Sequence, residues 1–105
     1  MIVKSKKLES SLRSKGFERS QKTGSHRLYI YCYDGRETDI RTFLSHGSDY
    51  DISDRILSYI KKQLYLDSTQ QVAELANCPL TKEGLASLYE SKGLIKRNKI
   101  SNYQN

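Results

Sequence analysis

The chain has 105 residues, a mean hydropathy of −0.72 and a formal net charge of +6. This length suits one domain with a modest core, and a hydrophobic content of 36% excludes a disordered chain. No apolar run approaches the ~20 residues of a membrane span, and the N-terminus lacks a signal-peptide pattern. We therefore expect a cytoplasmic protein without membrane partners. Residues 1–36 hold nine Lys or Arg against three Asp or Glu, which favours a nucleic-acid partner over a merely solvated basic surface.

The first predicted element is a helix over residues 3–15. Leu8 and Leu12 lie on one of its faces, four residues apart. Gly16 then occupies the position that commonly follows a helix, and a short strand is expected over residues 17–22.

A turn at residues 23–25 leads into an alternating strand over residues 26–33. We assign to the core the face that carries Leu28, Ile30 and Cys32. The opposite face carries Arg27, Tyr29, Tyr31 and Tyr33. This tyrosine face is then either exposed, where it could stack on bases, or packed beneath a neighbouring element.

The pair Asp34-Gly35 predicts a two-residue hairpin turn, because both central positions of that turn need positive φ. A third strand follows over residues 37–44, with Ile40, Thr42 and Leu44 at alternating positions. The next predicted helix covers residues 53–65, with Asp51 or Ser53 as its cap. Its apolar stripe consists of Ile52, Ile56, Leu57, Ile60 and Leu64.

These elements predict an α+β fold of order α-β-β-β-α, with an antiparallel three-stranded sheet and both helices on one face. Two further helices are expected over residues 69–77 and, after a Thr81 cap, to about residue 92. The predicted organisation is a domain over residues 1–66, a helical extension over 67–95 packed on it, and a flexible tail over 96–105.

The cysteines and histidines do not predict a metal site. A zinc site would have to combine Cys32, Cys78, His26 and His46, and these lack the close ligand pairs of zinc-binding motifs. We expect neither a metal nor a cofactor.

Four segments, in this order and at these separations, resemble HicA-type toxins, the mRNA interferases of HicAB toxin–antitoxin pairs. They are Leu8–Phe17, which ends Lys-Gly-Phe; Gly24-Ser25-His26; Asp34-Gly35-Arg36; and Ser45-His46-Gly47, which leads into Ile56-Leu57 and Ile60. The similarity covers roughly residues 4–65. Two features depart from the family: Phe43-Leu44-Ser45 precedes His46 where a proline is usual, and the chain continues for about forty residues beyond the second helix.

The resemblance implies a fold similar to a double-stranded RNA-binding domain, with His26 as the catalytic residue. It also implies mRNA as the substrate, translation arrest as the result, and a HicB-type antitoxin that covers the active histidine.

The residues around His26 suit metal-free RNA cleavage. A histidine has an intrinsic pKa of about 6.5 and can exchange protons near neutral pH. Gly24 and Ser25 could let a phosphate approach the backbone, while Lys22 and Arg27 supply positive charge. Two further RNA-binding candidates are Arg36 and His46, the latter as an acid partner or a phosphate contact. The alternative for His26 is a strand-edge residue held by a local hydrogen bond.

Three other functions stay open at this point. The chain could bind RNA without cleaving it, since such folds recognise double-stranded RNA by shape. Residues 69–93 could form a helix-turn-helix that binds DNA through Lys82, Ser87 and Lys92. The extension could also serve protein interaction, either by dimerising or by folding over His26.

Overall fold

The computed structural model describes residues 2–20, 26–45, 49–77 and 79–96, with the backbone alone at His26 and Ser45. These residues form an α+β fold with one three-stranded antiparallel sheet and four helices. The elements are α1 (Ser5–Ser14), β1 (Phe17–Ser20), β2 (His26–Tyr33), β3 (Arg36–Ser45), α2 (Asp54–Gln63), α3 (Thr69–Ala76) and α4 (Lys82–Ser91). Within this part of the chain no helix is both long and apolar enough to cross a membrane. The predicted turn at 23–25 and all but the first residue of the predicted tail lie outside the described residues.

The central hairpin fixes the register of the sheet, which has the strand order β1-β2-β3. Asp34 and Gly35 have φ angles of 54° and 77°, which confirms the predicted turn. The register shifts between Ile30 and Cys32, where β3 carries additional residues. At this bulge the Thr38 hydroxyl donates to the Tyr31 carbonyl at 2.7 Å and accepts from the Ile40 amide at 3.1 Å.

The predicted core face of β2 was wrong. Tyr29 and Tyr31 are buried in the hydrophobic core beneath the helices, whereas Leu28 and Cys32 are half-buried on the opposite face. Ile30 is also buried, but it lies outside the core cluster. Both faces of this strand are apolar enough to pack, so alternation alone could not identify the covered one. The alternative of a packed tyrosine face is therefore confirmed. The alternating residues of β3, Ile40, Thr42 and Leu44, are buried.

The first turn of α2 is capped by a neighbouring residue in the sequence, and the first turn of α1 by a distant one. Ser53 caps α2 locally by accepting from the Ile56 amide at 3.3 Å, as predicted. The N-cap position of α1, Lys4, makes no such bond. Instead Asp49 accepts from the Lys6 amide at 3.0 Å, and this hydrogen bond with a helix-end amide lowers the pKa of its carboxyl group. The predicted stripe of α2 was wrong at Ile56, which is 39% exposed.

Helix α3 is attached to α1 by hydrogen bonds as well as apolar contacts. The Ser11 hydroxyl donates to the Ala76 carbonyl, and the Lys15 ammonium donates to the Leu75 carbonyl, both at 2.8 Å. These two side chains therefore satisfy carbonyls that the end of a helix leaves without internal partners. Lys15 is only 5% exposed, because its alkyl stem is enclosed where the helices meet.

Helix α4 completes the cover over the tyrosine face. The ring of Tyr89 meets that of Tyr31 edge-on, with centroids 5.0 Å apart, and its hydroxyl donates to the Leu64 carbonyl at 2.8 Å. Buried residues from α1, the sheet, α2, α3 and α4 form one hydrophobic cluster. The residues after Leu66 thus share the core of the residues before it.

We expect Lys15→Ala to lower the free energy of unfolding by about 2 kcal/mol, because it removes a charge-assisted hydrogen bond and the packing of the stem. Urea unfolding measures this difference. Lys7→Ala, at an exposed position of the same helix, is the matched control and should change stability by less than about 0.5 kcal/mol. Equal stabilities of the two variants would show that the hydrogen bond from Lys15 to the Leu75 carbonyl does not stabilise the fold.

Candidate nucleic-acid site at one end of the sheet

The backbone of His26 begins β2 and pairs with Ser45, the last residue of β3. This pair ends the hairpin ladder on the side away from the Asp34-Gly35 turn. The pairing brings together two parts of the sequence that both contain a histidine motif, Gly24-Ser25-His26 and Ser45-His46-Gly47. His26 is the last residue of the first motif and the first residue of β2. Ser45 is the first residue of the second motif and the last residue of β3.

Arg27 and Tyr29 face the helices and share one carboxylate. The Arg27 guanidinium lies 3.0 and 3.1 Å from the two carboxylate oxygens of Glu9 on α1, and the Tyr29 hydroxyl donates to the same group. Burial, followed by the contact with Glu9, raises the pKa of Tyr29 to about 12. Arg27 was predicted as a phosphate contact, but in the structure it forms a half-buried ion pair with Glu9, which balances its charge.

A cavity of 330 Å³ lies against the same part of α1. Its described lining consists of Lys6, Glu9, Ser10 and Arg13. Lys6 and Arg13 are exposed cations, and Ser10 places a hydroxyl between them. The described lining carries two cations and one carboxylate, and Glu9 is itself paired with Arg27, so the lining is net positive. This arrangement is suited to a phosphate group.

Sequence reasoning missed these cavity residues. Lys6, Ser10 and Arg13 follow the spacing i, i+4, i+7, which places them on one helical face. That spacing was visible in the sequence. Which structural element this face would adjoin was not, because the contact between Glu9 and β2 joins residues eighteen and twenty positions apart.

The segment after β3 is fastened to the start of α1. The Asp49 carboxylate accepts from the Lys6 amide and, at 3.2 Å, from the Ser5 hydroxyl. The Ser5 amide donates to the Tyr50 carbonyl at 2.8 Å, and the Ile52 amide donates to the Val3 carbonyl at 2.9 Å. The described residues on both sides of 46–48 are therefore hydrogen-bonded in place, one side at the end of the sheet and the other at the beginning of α1.

The other predicted site residues fall into two groups. Lys22, Gly24, Ser25 and His46 lie outside the described residues. Arg36 is exposed and pairs with Tyr33 at the turn of the hairpin. At about 3.3 Å per residue it lies about 23 Å from the pair of His26 and Ser45, so it does not belong to the same site.

Two of the four residues that a zinc site would have to combine lie far apart. Cys32 is six residues from His26 along β2, a separation of about 20 Å, which excludes a shared metal site for these two. The other two, Cys78 and His46, lie outside the described residues.

The described part of the extension ends far from His26. Leu94, Ile95 and Lys96 line a 320 Å³ cavity together with hairpin-turn residues that include Tyr33 and Arg36. These three described residues therefore lie at the turn, at the other end of the hairpin from His26.

The chain matches no protein-family model, no curated protein and no solved structure. The resemblance to HicA-type toxins therefore rests on the sequence motifs.

The raised pKa of Tyr29 predicts a loss of stability at alkaline pH. The folded state keeps this phenol protonated up to about pH 12, whereas the unfolded chain ionises it near the ordinary value of about 10. Tyr29 should therefore contribute its full stabilisation below pH 10 and lose about 1.4 kcal/mol for each pH unit between about 10 and 12.

Urea unfolding of the wild type and of Tyr29→Phe between pH 8 and 11.5 tests this expectation, and the variant should show a shallower decline above about pH 10. Burial also raises the pKa of Tyr89, so some decline should persist in the variant. Identical slopes for the two proteins would show that Tyr29 is not responsible.

Proposed function

We propose that this protein is a HicA-like endoribonuclease that cleaves mRNA without a metal ion and arrests translation. The observation that carries the proposal is the pairing of His26 with Ser45. His46 follows Ser45 directly in the sequence. The proposal therefore assigns both histidine motifs, twenty residues apart in the sequence, to the end of the sheet where His26 and Ser45 pair.

The proposed reaction is an internal transesterification. His26 acts as the general base that takes the proton from a 2′-hydroxyl, and the 2′-oxygen then attacks the adjacent phosphorus. The bond from phosphorus to the 5′-oxygen breaks, and a protonated group, for which His46 is the candidate, gives a proton to that oxygen. The products are a 2′,3′-cyclic phosphate and a 5′-hydroxyl, so the atoms and protons balance.

Positive charge for the phosphate would come from α1. Lys6 and Arg13 line the cavity beside Glu9, and Glu9 in turn binds the residue that follows His26. Charges fixed before the reaction stabilise the additional negative charge of the transition state. Lys22 and Ser25 remain proposed phosphate contacts from the motif, and Arg36 could contact only a more distant nucleotide.

The arrangement of the first 65 residues supports a likeness to double-stranded RNA-binding domains. The order α1-β1-β2-β3-α2 and the packing of both helices on one face of the sheet are as that likeness requires. A HicB-type antitoxin is the proposed partner, covering the His26 end of the ladder. The described residues Leu94, Ile95 and Lys96 lie at the hairpin turn instead, which supports a separate inhibitor over self-inhibition by these residues.

The helix-turn-helix alternative receives less support. Leu85, Ala86 and Tyr89 of α4 are buried in the common core. Lys92, one of its proposed DNA contacts, donates instead to the Tyr65 carbonyl at 2.8 Å and to the Asp67 carboxylate at 2.6 Å. Of the two lysines proposed to contact DNA, this leaves Lys82.

We expect purified protein to cleave structured mRNA in excess EDTA, and His26→Ala to lower the rate by about 10²- to 10⁴-fold. A denaturing gel measures the cleavage, and end-group analysis should identify the cyclic phosphate. Lys96→Ala is the matched control, because Lys96 lines a cavity with the turn residues Tyr33 and Arg36, at the other end of the hairpin from His26.

Intact RNA with the wild-type protein would contradict the catalytic proposal, and RNA binding without cleavage would favour the binding-only alternative. Loss of nucleic-acid binding in Lys82→Ala would favour recognition through α4.

A further inference from the structure

The sheet has a second face that the four described helices leave uncovered. Strand alternation places Leu28, Ile30 and Phe43 on this face, opposite Tyr29 and Thr42. All three are outside the core cluster. We call this surface the open face. Position 26 belongs to the same alternating set of β2 positions as 28 and 30.

Phe43 is the exposed aromatic residue of the open face among the described residues. It is 41% exposed and pairs across the ladder with Leu28. The next pair of the same alternating set is His26 with Ser45, about 7 Å away along the strands. An aromatic ring thus lies beside the position that we propose as catalytic.

The charges of the open face differ between its two ends. Near the turn, Glu18 and Glu37 lie close enough to Cys32 to add to the effect of burial in raising the pKa of its thiol. Two carboxylates disfavour a polyanion at that end. At the other end the described residues of this face are Ser20, Leu28 and Phe43, which carry no charge. Arg41 lies between the two ends, paired with Ile30.

The size of the apolar surface favours a nucleobase over a protein. A stable protein interface buries about 800 Å² on each partner. Among the described residues the open face offers one exposed ring beside half-buried Leu28, since Ile30 is already buried. One aromatic ring matches one base, and such stacking accepts any base because each has a π-face.

We propose that Phe43 is a stacking platform for the base of a nucleotide next to the cleaved phosphate, which makes single-stranded RNA the substrate class. The RNA backbone crosses the His26 end of the ladder, with a phosphate near Lys6, and one unpaired base turns onto the open face. A base held in a duplex cannot make this contact, because both of its faces are already stacked. The inference rests on the proposed function for its substrate, but it concerns binding and not the chemical step.

The test measures binding to a short 2′-O-methyl RNA, which lacks the attacking hydroxyl and cannot be cleaved. Fluorescence anisotropy compares a labelled single strand with a hairpin duplex of the same length. We expect Phe43→Ala and Phe43→Leu to weaken binding of the single strand by roughly tenfold or more, and Phe43→Tyr to preserve it. Binding of the duplex should be the same for all four proteins.

Two controls separate stacking from other effects. Tyr59→Ala removes an aromatic ring that is 51% exposed on α2, away from the open face, and should bind the single strand as the wild type does. Thermal unfolding should show each variant folded, since Phe43 is outside the core cluster.

Wild-type affinity in Phe43→Leu would overturn the proposal, because apolar area without a π-face would then suffice. Equal losses for single strand and duplex, or no wild-type binding to the single strand, would also overturn it. A change of oligomeric state in Phe43→Ala, measured by sedimentation, would assign the ring to a protein contact instead. Binding that depends on Phe43 without cleavage of unmodified RNA would refute the proposed reaction but not this inference. Cleavage with no dependence of binding on Phe43 would refute this inference alone.

Discussion

The structure depends on burying tyrosine rings whose hydroxyl groups need hydrogen-bond partners. A sheet face lined with phenols can enter a core only where an acceptor is available for each buried hydroxyl. For Tyr29 that acceptor is Glu9 of α1, and for Tyr89 it is the Leu64 carbonyl at the end of α2. The first bond fixes α1 on the sheet, and the second fixes α4 at the end of α2. Apolar contacts alone would permit many placements of these helices. The contact with Glu9 also places the polar face of α1 beside the strand that begins at His26.

The local elements could be predicted because their signals lie within a few residues. Asp34-Gly35 specifies its own turn, and Ser53 caps a helix that begins at the next residue. The covered face of β2 could not be predicted, since both faces are apolar and the choice is made by helices elsewhere in the chain. The bulge at Thr38 and the capping of α1 by Asp49 were likewise inaccessible, because they depend on partners seven and forty-three residues away.

The same division applies to the candidate site. The motif around His26 and the strand that carries it were visible in the sequence, and the ladder then supplied the pairing with Ser45. The ion pair of Arg27 with Glu9 was not foreseen, because this carboxylate belongs to another element. Lys6 and Arg13 were not selected, because cations are common on the solvent-exposed face of a helix. Only the fold shows that these two line a cavity. Arg36 was grouped with the site by proximity in sequence, although the hairpin carries it to the opposite end.

The Lys-Gly-Phe ending of the first helix has a purely architectural explanation. Lys15 binds the end of α3, Gly16 has a φ of 109°, and Phe17 packs against Tyr31 with centroids 5.1 Å apart. A β-carbon on Gly16 would lie 3.1 Å from the Tyr31 ring, so a side chain there would be opposed by both conformation and space. The requirement for these three residues comes from a helix that passes directly into an edge strand over an aromatic core. Another chain with these three residues would therefore share the backbone path at this point. A shared catalytic chemistry would have to be found at the other end of the sheet, where His26 pairs with Ser45.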